Sequence, residues 1–86
     1  MRLIRTERFK RAYRKLENQE QERVKQALVR LLADRTYPAL RVKRVQGTAK
    51  IWELRASRDI RVTFEIEDNT IILRNVGHHD PTLKNP

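Results

Sequence analysis

The stretch from Trp52 to Asp80, WELRASRDIRVTFEIEDNTIILRNVGHHD, constrains this chain most. Within it Ile60, Val62, Phe64 and Ile66 alternate with Arg61, Thr63, Glu65 and Glu67. Successive side chains of a strand point to opposite faces, so a period of two marks a strand with one dry and one wet face. Trp52, Leu54 and Ala56 alternate in the same way against Glu53 and Arg55, and Ser57-Arg58-Asp59 leaves room only for a tight turn between the two runs. Asp68-Asn69 reads as a second hairpin turn, although it lacks the glycine that the tightest type favours. Thr70–Val76 follows, and its run Ile71-Ile72-Leu73 predicts burial on both faces and a central place in the sheet. Gly77 predicts the end of that strand, and the last nine residues read as a polar tail.

Upstream the period changes to that of a helix. Phe9, Ala12, Tyr13 and Leu16 fall at i, i+3, i+4 and i+7, after a Thr6 able to cap and a Glu7 favourable in a first turn. Val24, Ala27, Leu28, Leu31 and Leu32 repeat the spacing, with Asn18 as the candidate cap of this second helix. A joint of about three residues predicts an antiparallel helical hairpin. Leu3 and Ile4 make a short edge strand, and Pro38 with Tyr37 stops any helix before the basic segment Arg41–Val45. The predicted fold is therefore α+β in the order β-α-α-β-β-β: a four-stranded antiparallel sheet with a helical hairpin on one face. Its other face should stand open and carry Glu53, Arg55, Arg61, Thr63 and Glu65.

Eighty-six residues predict one domain, 1–86, with a modest core. No cysteine is present, which excludes disulfides and thiolate metal sites. No run of eighteen apolar residues predicts a membrane span, and MRLIRTERFKR lacks the apolar centre of a signal peptide, so a cytoplasmic protein with no membrane partner is expected. Twenty Lys and Arg against eleven Asp and Glu give a net charge of +9, which favours polyanionic partners: nucleic acid or an acidic protein. The charge is uneven. Residues 1–61 carry the whole excess, whereas residues 62–86 hold two basic side chains against four acidic ones.

The helical hairpin, WELRAS followed by DIRVTFEI, and DNTIILRNVGHHD together resemble the RelE/ParE superfamily, the small toxins of type II toxin–antitoxin systems, and within it the RelE, YafQ and YoeB branch. The resemblance covers nearly the whole chain. It implies a bacterial or archaeal ribonuclease that enters the ribosomal A site, cuts the messenger RNA there and inhibits translation. It also implies an acidic cognate antitoxin laid over the basic open face as a helix or strand, with operator DNA reached only through that antitoxin. On the family pattern Arg61 is the arginine that the strand supplies to the active site, and His79 falls where the YafQ and YoeB types place a histidine. Leu83 stands where an aromatic residue is common. The lysine pair of RelE is absent, since the corresponding stretch reads Ile51-Trp52-Glu53; Lys50 and Arg55 are the nearest substitutes.

Metal-free RNA cleavage needs a base for the 2′-hydroxyl, a cation for the phosphorane and an acid for the departing 5′-oxygen. Arg61 suits the phosphate, because a guanidinium stays charged and matches it bidentately. Glu53 or His79 suits the base, and His79 suits the acid, since a free imidazole titrates near pH ~6.5. Lys43, Arg44, Lys50, Arg55, Arg58 and His78 are the candidate contacts to RNA. Adjacent ligands on extended chain rarely converge, so His78-His79-Asp80 predicts no metal site, and no cofactor is expected. Trp52 offers a ring for base stacking, but its alternation with Leu54 places it in the core. Two other functions compete on the same scaffold: a ParE-type poison of DNA gyrase acting without catalysis, and a basic RNA-binding domain with no activity.

Overall fold

The computed structural model describes all residues 1–86. Its elements run β1 (Arg2–Arg5), α1 (Glu7–Arg14), α2 (Asn18–Ala33), a 3-10 turn (Pro38–Leu40), β2 (Lys43–Arg44), β3 (Trp52–Arg55), β4 (Ile60–Glu67), β5 (Thr70–His78) and α3 (His79–Lys84). The sheet has five strands in the order β1-β5-β4-β3-β2, not four. It is also not purely antiparallel. β1 enters beside β5 in parallel, pairing Arg2 with Thr70 through Arg5 with Leu73, while β2 to β5 form an antiparallel meander. The extra strand is the basic segment after Pro38: Lys43 pairs with Glu53 and Arg44 with Trp52.

Local chemistry sets the helix boundaries. The Thr6 hydroxyl accepts from Phe9 N at 3.1 Å and donates to Leu73 O at 2.8 Å, so one side chain starts α1 and ties it to β5. The cap of α2 is Glu17 rather than Asn18, with Glu20 Oε1 accepting from Glu17 N at 3.0 Å. The Tyr13 hydroxyl donates to Gln21 O and Gln21 Nε2 donates to Tyr13 O, which locks the two helices together. Asp68 takes φ 55°, a left-handed backbone that a short polar side chain tolerates, and so closes the hairpin without glycine.

The core lies between the helical hairpin and one sheet face. Phe9 from α1 and Val24, Ala27 and Leu31 from α2 meet Leu54, Val62, Phe64, Ile71, Leu73 and Val76, all buried. Val24, Ala27 and Leu31 are buried and Leu28 packs partly buried against the core, whereas Leu32, expected inside, is 41 % exposed at the edge of the apolar stripe. Ile72 is only partly covered, so β5 is central without being fully buried on both faces.

The second sheet face departs most from expectation. The predicted polar tail instead forms α3 and folds back over it. Pro86 O accepts from Thr63 Oγ1 at 3.0 Å and from Arg74 Nε at 3.1 Å, and Asn85 O accepts from Asn75 Nδ2 at 2.9 Å. Thr63 is consequently fully buried and Glu53 is 5 % exposed, so the face is open only beyond them. β5 runs through Gly77 to His78, and Gly77 is where α3 seats. A Cβ on Gly77 would lie 2.8 Å from Thr82 Oγ1, and Thr82 is itself buried. Gly77→Ala should therefore destabilise the protein by about 1–3 kcal/mol, seen as a lower melting temperature, and Thr82→Ala in the same chain should recover most of the loss.

Candidate active site

β3 and β4 pair so that Glu53 lies opposite Thr63 and Arg55 opposite Arg61, and β2 places Lys43 on the other side of Glu53. The sheet register alone thus surrounds one carboxylate with a cation, a hydroxyl and a diagonal arginine. A cleft of about 470 Å3 opens over it between β2 and α3, lined by Lys43, Glu53, His79, Leu83 and Lys84 among others. Glu53 forms its shielded floor.

Arg61 Nε stands 4.0 Å from Glu53 Oε1, and the arginine side chain is 15 % exposed. Its Nη1 donates to Ser57 O at 3.0 Å, Arg58 O at 3.1 Å and Ile60 O at 3.3 Å. One end of the guanidinium therefore staples the turn between β3 and β4, and the other end faces the carboxylate. Burial first, then the charge of Arg55, pulls the Arg61 pKa below the usual arginine value, with Glu53 opposing. A guanidinium still holds its proton throughout the working range.

The two histidines part company. His78 belongs to the helix side of the sheet, with Nε2 3.7 Å from Glu20 Oε2. His79 opens α3 and lines the cleft; its Nδ1 is 2.8 Å from Asp80 Oδ1, and this bond holds the Asp80 carboxyl below the usual carboxylate range. An ionised carboxylate can only accept, so Nδ1 is the donor in this bond.

Of the expected RNA contacts, Lys43 and Arg44 line the cleft. Arg58 lines an adjoining hollow with Asp59, both histidines, Asp80 and Pro81. Lys50 lies apart, beside Trp52, Glu65 and Glu67. Trp52 is half-buried against the core, and Arg44 stacks on its ring at 5.2 Å. Sequence reasoning missed Lys84 and the His79–Asp80 pair. A helix signal was present: an acid and a proline at the start of HDPTLK and a lysine at its end. No three His, Cys, Asp or Glu side chains are grouped to hold a metal ion, and no helix is long and apolar enough to cross a membrane.

No protein-family model and no curated protein matches the sequence. Solved structures do match it. A YoeB/ParE toxin from Agrobacterium tumefaciens superposes with a TM-score of 0.77 at 13 % identity, covering 92 % of this chain and 99 % of that one. A chain of the RelB-RelE antitoxin-toxin complex from Methanococcus jannaschii gives 0.75 at 17 % identity, covering 94 % and 95 %. One from the intact E. coli RelBE toxin-antitoxin complex gives 0.71 at 22 % identity, covering 92 % and 96 %. The likeness spans nearly the full length on both sides, and the chain has the fold of the RelE/ParE toxin superfamily.

Proposed function

We propose that this protein is the toxin of a type II toxin–antitoxin pair and that it cuts messenger RNA in the ribosomal A site. The observation that carries the reading is the cleft: its floor is a shielded carboxylate, Glu53, which Arg61 approaches to 4.0 Å from outside the lining, and its walls carry Lys43, Lys84 and His79. On the toxin fold this is a proton acceptor, a proton donor and several cations in one groove.

In the proposed reaction Glu53 takes the 2′-hydroxyl proton, and the 2′-oxygen attacks phosphorus. Arg61 and Lys43 stabilise the charge of the phosphorane. His79 Nε2 protonates the 5′-oxygen as that bond breaks, leaving a 2′,3′-cyclic phosphate and a free 5′-hydroxyl. The charge of +9 supports a polyanionic substrate and an acidic cognate antitoxin, as do the antitoxin complexes among the structural matches.

Primer extension on messenger bound to programmed ribosomes tests the proposal, with wild type, Arg61→Ala and His79→Ala in parallel. Cuts at the A-site codon that fall at least about a hundredfold in both variants are expected. Absence of cuts from the wild-type protein would overturn it. A second reading, poisoning of DNA gyrase without catalysis, draws on the three backbone carbonyls already bound by Arg61 Nη1, which fit a structural arginine. It requires growth arrest that persists in His79→Ala without any cut messenger.

A further inference from the structure

Helix α3 stands as a ridge between two grooves. His79, Asp80, Leu83 and Lys84 face the Glu53 cleft. Thr82 and Asn85, with His78 and Pro81 at the end that also borders Arg58, line a second groove of about 430 Å3 whose far wall is α1. Sheet register creates this groove. β1 pairs with β5 only as far as Leu73, and the chain then turns at Thr6 into α1, so residues 75–78 have no strand beyond them.

The wall from α1 is cationic. Arg8, Arg11 and Lys15 fall at i, i+3 and i+7, on one face, and all three line the groove. Arg8 donates to Asn85 O. Arg11 and Lys15 take part in none of the ion pairs of the chain. The one carboxylate on the lining, Glu20, is turned to His78. Ala12, Leu16 and Val76 are too small an apolar lining for the side-chain anchors by which an amphipathic helix docks. Free cations spaced along a polar groove are what a sugar-phosphate chain needs.

We infer that this groove is a second phosphate-binding subsite, which holds the backbone of the RNA strand occupying the Glu53 cleft, so that the strand crosses α3. Phosphate is the chemistry the groove selects; that the phosphate belongs to RNA rests on the ribonuclease reading. A helix is roughly 10 Å across, a ridge that a few nucleotides of extended strand can span.

The test measures affinity for a fluorescent ten-nucleotide 2′-O-methyl RNA, which lacks the attacking hydroxyl, across a range of salt. Three variants each remove two charges: Arg11→Gln with Lys15→Gln in the groove, Lys43→Gln with Lys84→Gln in the cleft, and Arg30→Gln with Arg35→Gln near the far end of α2, where both are exposed. The groove and cleft pairs should each weaken binding about tenfold and flatten the salt dependence by about one unit of slope, and the far pair should do neither. A groove pair that behaves like the far pair overturns the subsite and leaves the ribonuclease reading to the cleft pair. If the cleft pair behaves like the far pair while the groove pair weakens binding, the groove takes RNA without the cleft, and the shared strand is overturned together with the ribonuclease reading. Equal losses in all three show that only net charge counts, and both fall. Titration with inorganic phosphate, followed at the α1 amides, separates a strand from a free ion: saturation at submillimolar phosphate would reassign the groove to the free anion and overturn the strand.

Discussion

Glu53→Gln should slow ribosome-dependent cleavage by about a hundredfold to ten-thousandfold, the usual worth of a positioned proton acceptor, with the fold retained. The amide has the shape of the carboxylate and still offers an oxygen to Arg61, but it cannot take a proton at neutral pH. Glu53 is 5 % exposed, and Arg61 Nε at 4.0 Å is its nearest charged partner, so the substitution changes chemistry far more than packing. A single-turnover pH–rate profile separates two roles. If Glu53 is the base, the acidic limb disappears in Glu53→Gln; if it only steadies Arg61, the limb stays and the rate falls less than about tenfold. A melting curve close to that of the wild type excludes unfolding as the cause.

Glu53 also shows how much of the site was legible in the sequence. Alternation in WELR and DIRVTFEI is local, and it put Glu53, Arg55, Arg61 and Thr63 on one face correctly. The burial of Glu53 and Thr63 was not legible, because the covering groups come from far along the chain. β2 is two exposed residues long, too short to show a period. α3 has a single buried residue, Thr82, so no apolar stripe announced it. The parallel pairing of β1 with β5 joins segments nearly seventy residues apart, a contact that no local pattern encodes. Of the two adjacent histidines, His79 lines the cleft and His78 approaches Glu20, while both border the hollow beside Arg58.

Phe64→Ala should cost about 3–5 kcal/mol, the range for emptying a buried aromatic site. A domain of 86 residues has roughly 4–13 kcal/mol in total, so this one change should leave a measurable unfolded population at growth temperature. Phe64 is fully buried, lies between Trp52 on β3 and Leu73 on β5, and faces the helices. It also follows the irregularity at Thr63/Phe64, where the strand twists and repacking is constrained on both sides. Urea unfolding checks the expectation: the midpoint should drop with the slope unchanged. Thr63→Val, one residue away and equally buried on the opposite face, is the comparison. It keeps the volume and removes the hydroxyl that donates to Pro86 O, so it should cost only about 1 kcal/mol. Its effect should appear instead in the cleft, through looser seating of α3 and slower cleavage. A shared loss of stability in both variants would mean that α3 and the C-terminal residues belong to the same cooperative unit as the core. A loss confined to Phe64→Ala would mean that the helical face holds the protein together while the other face remains free to serve the site.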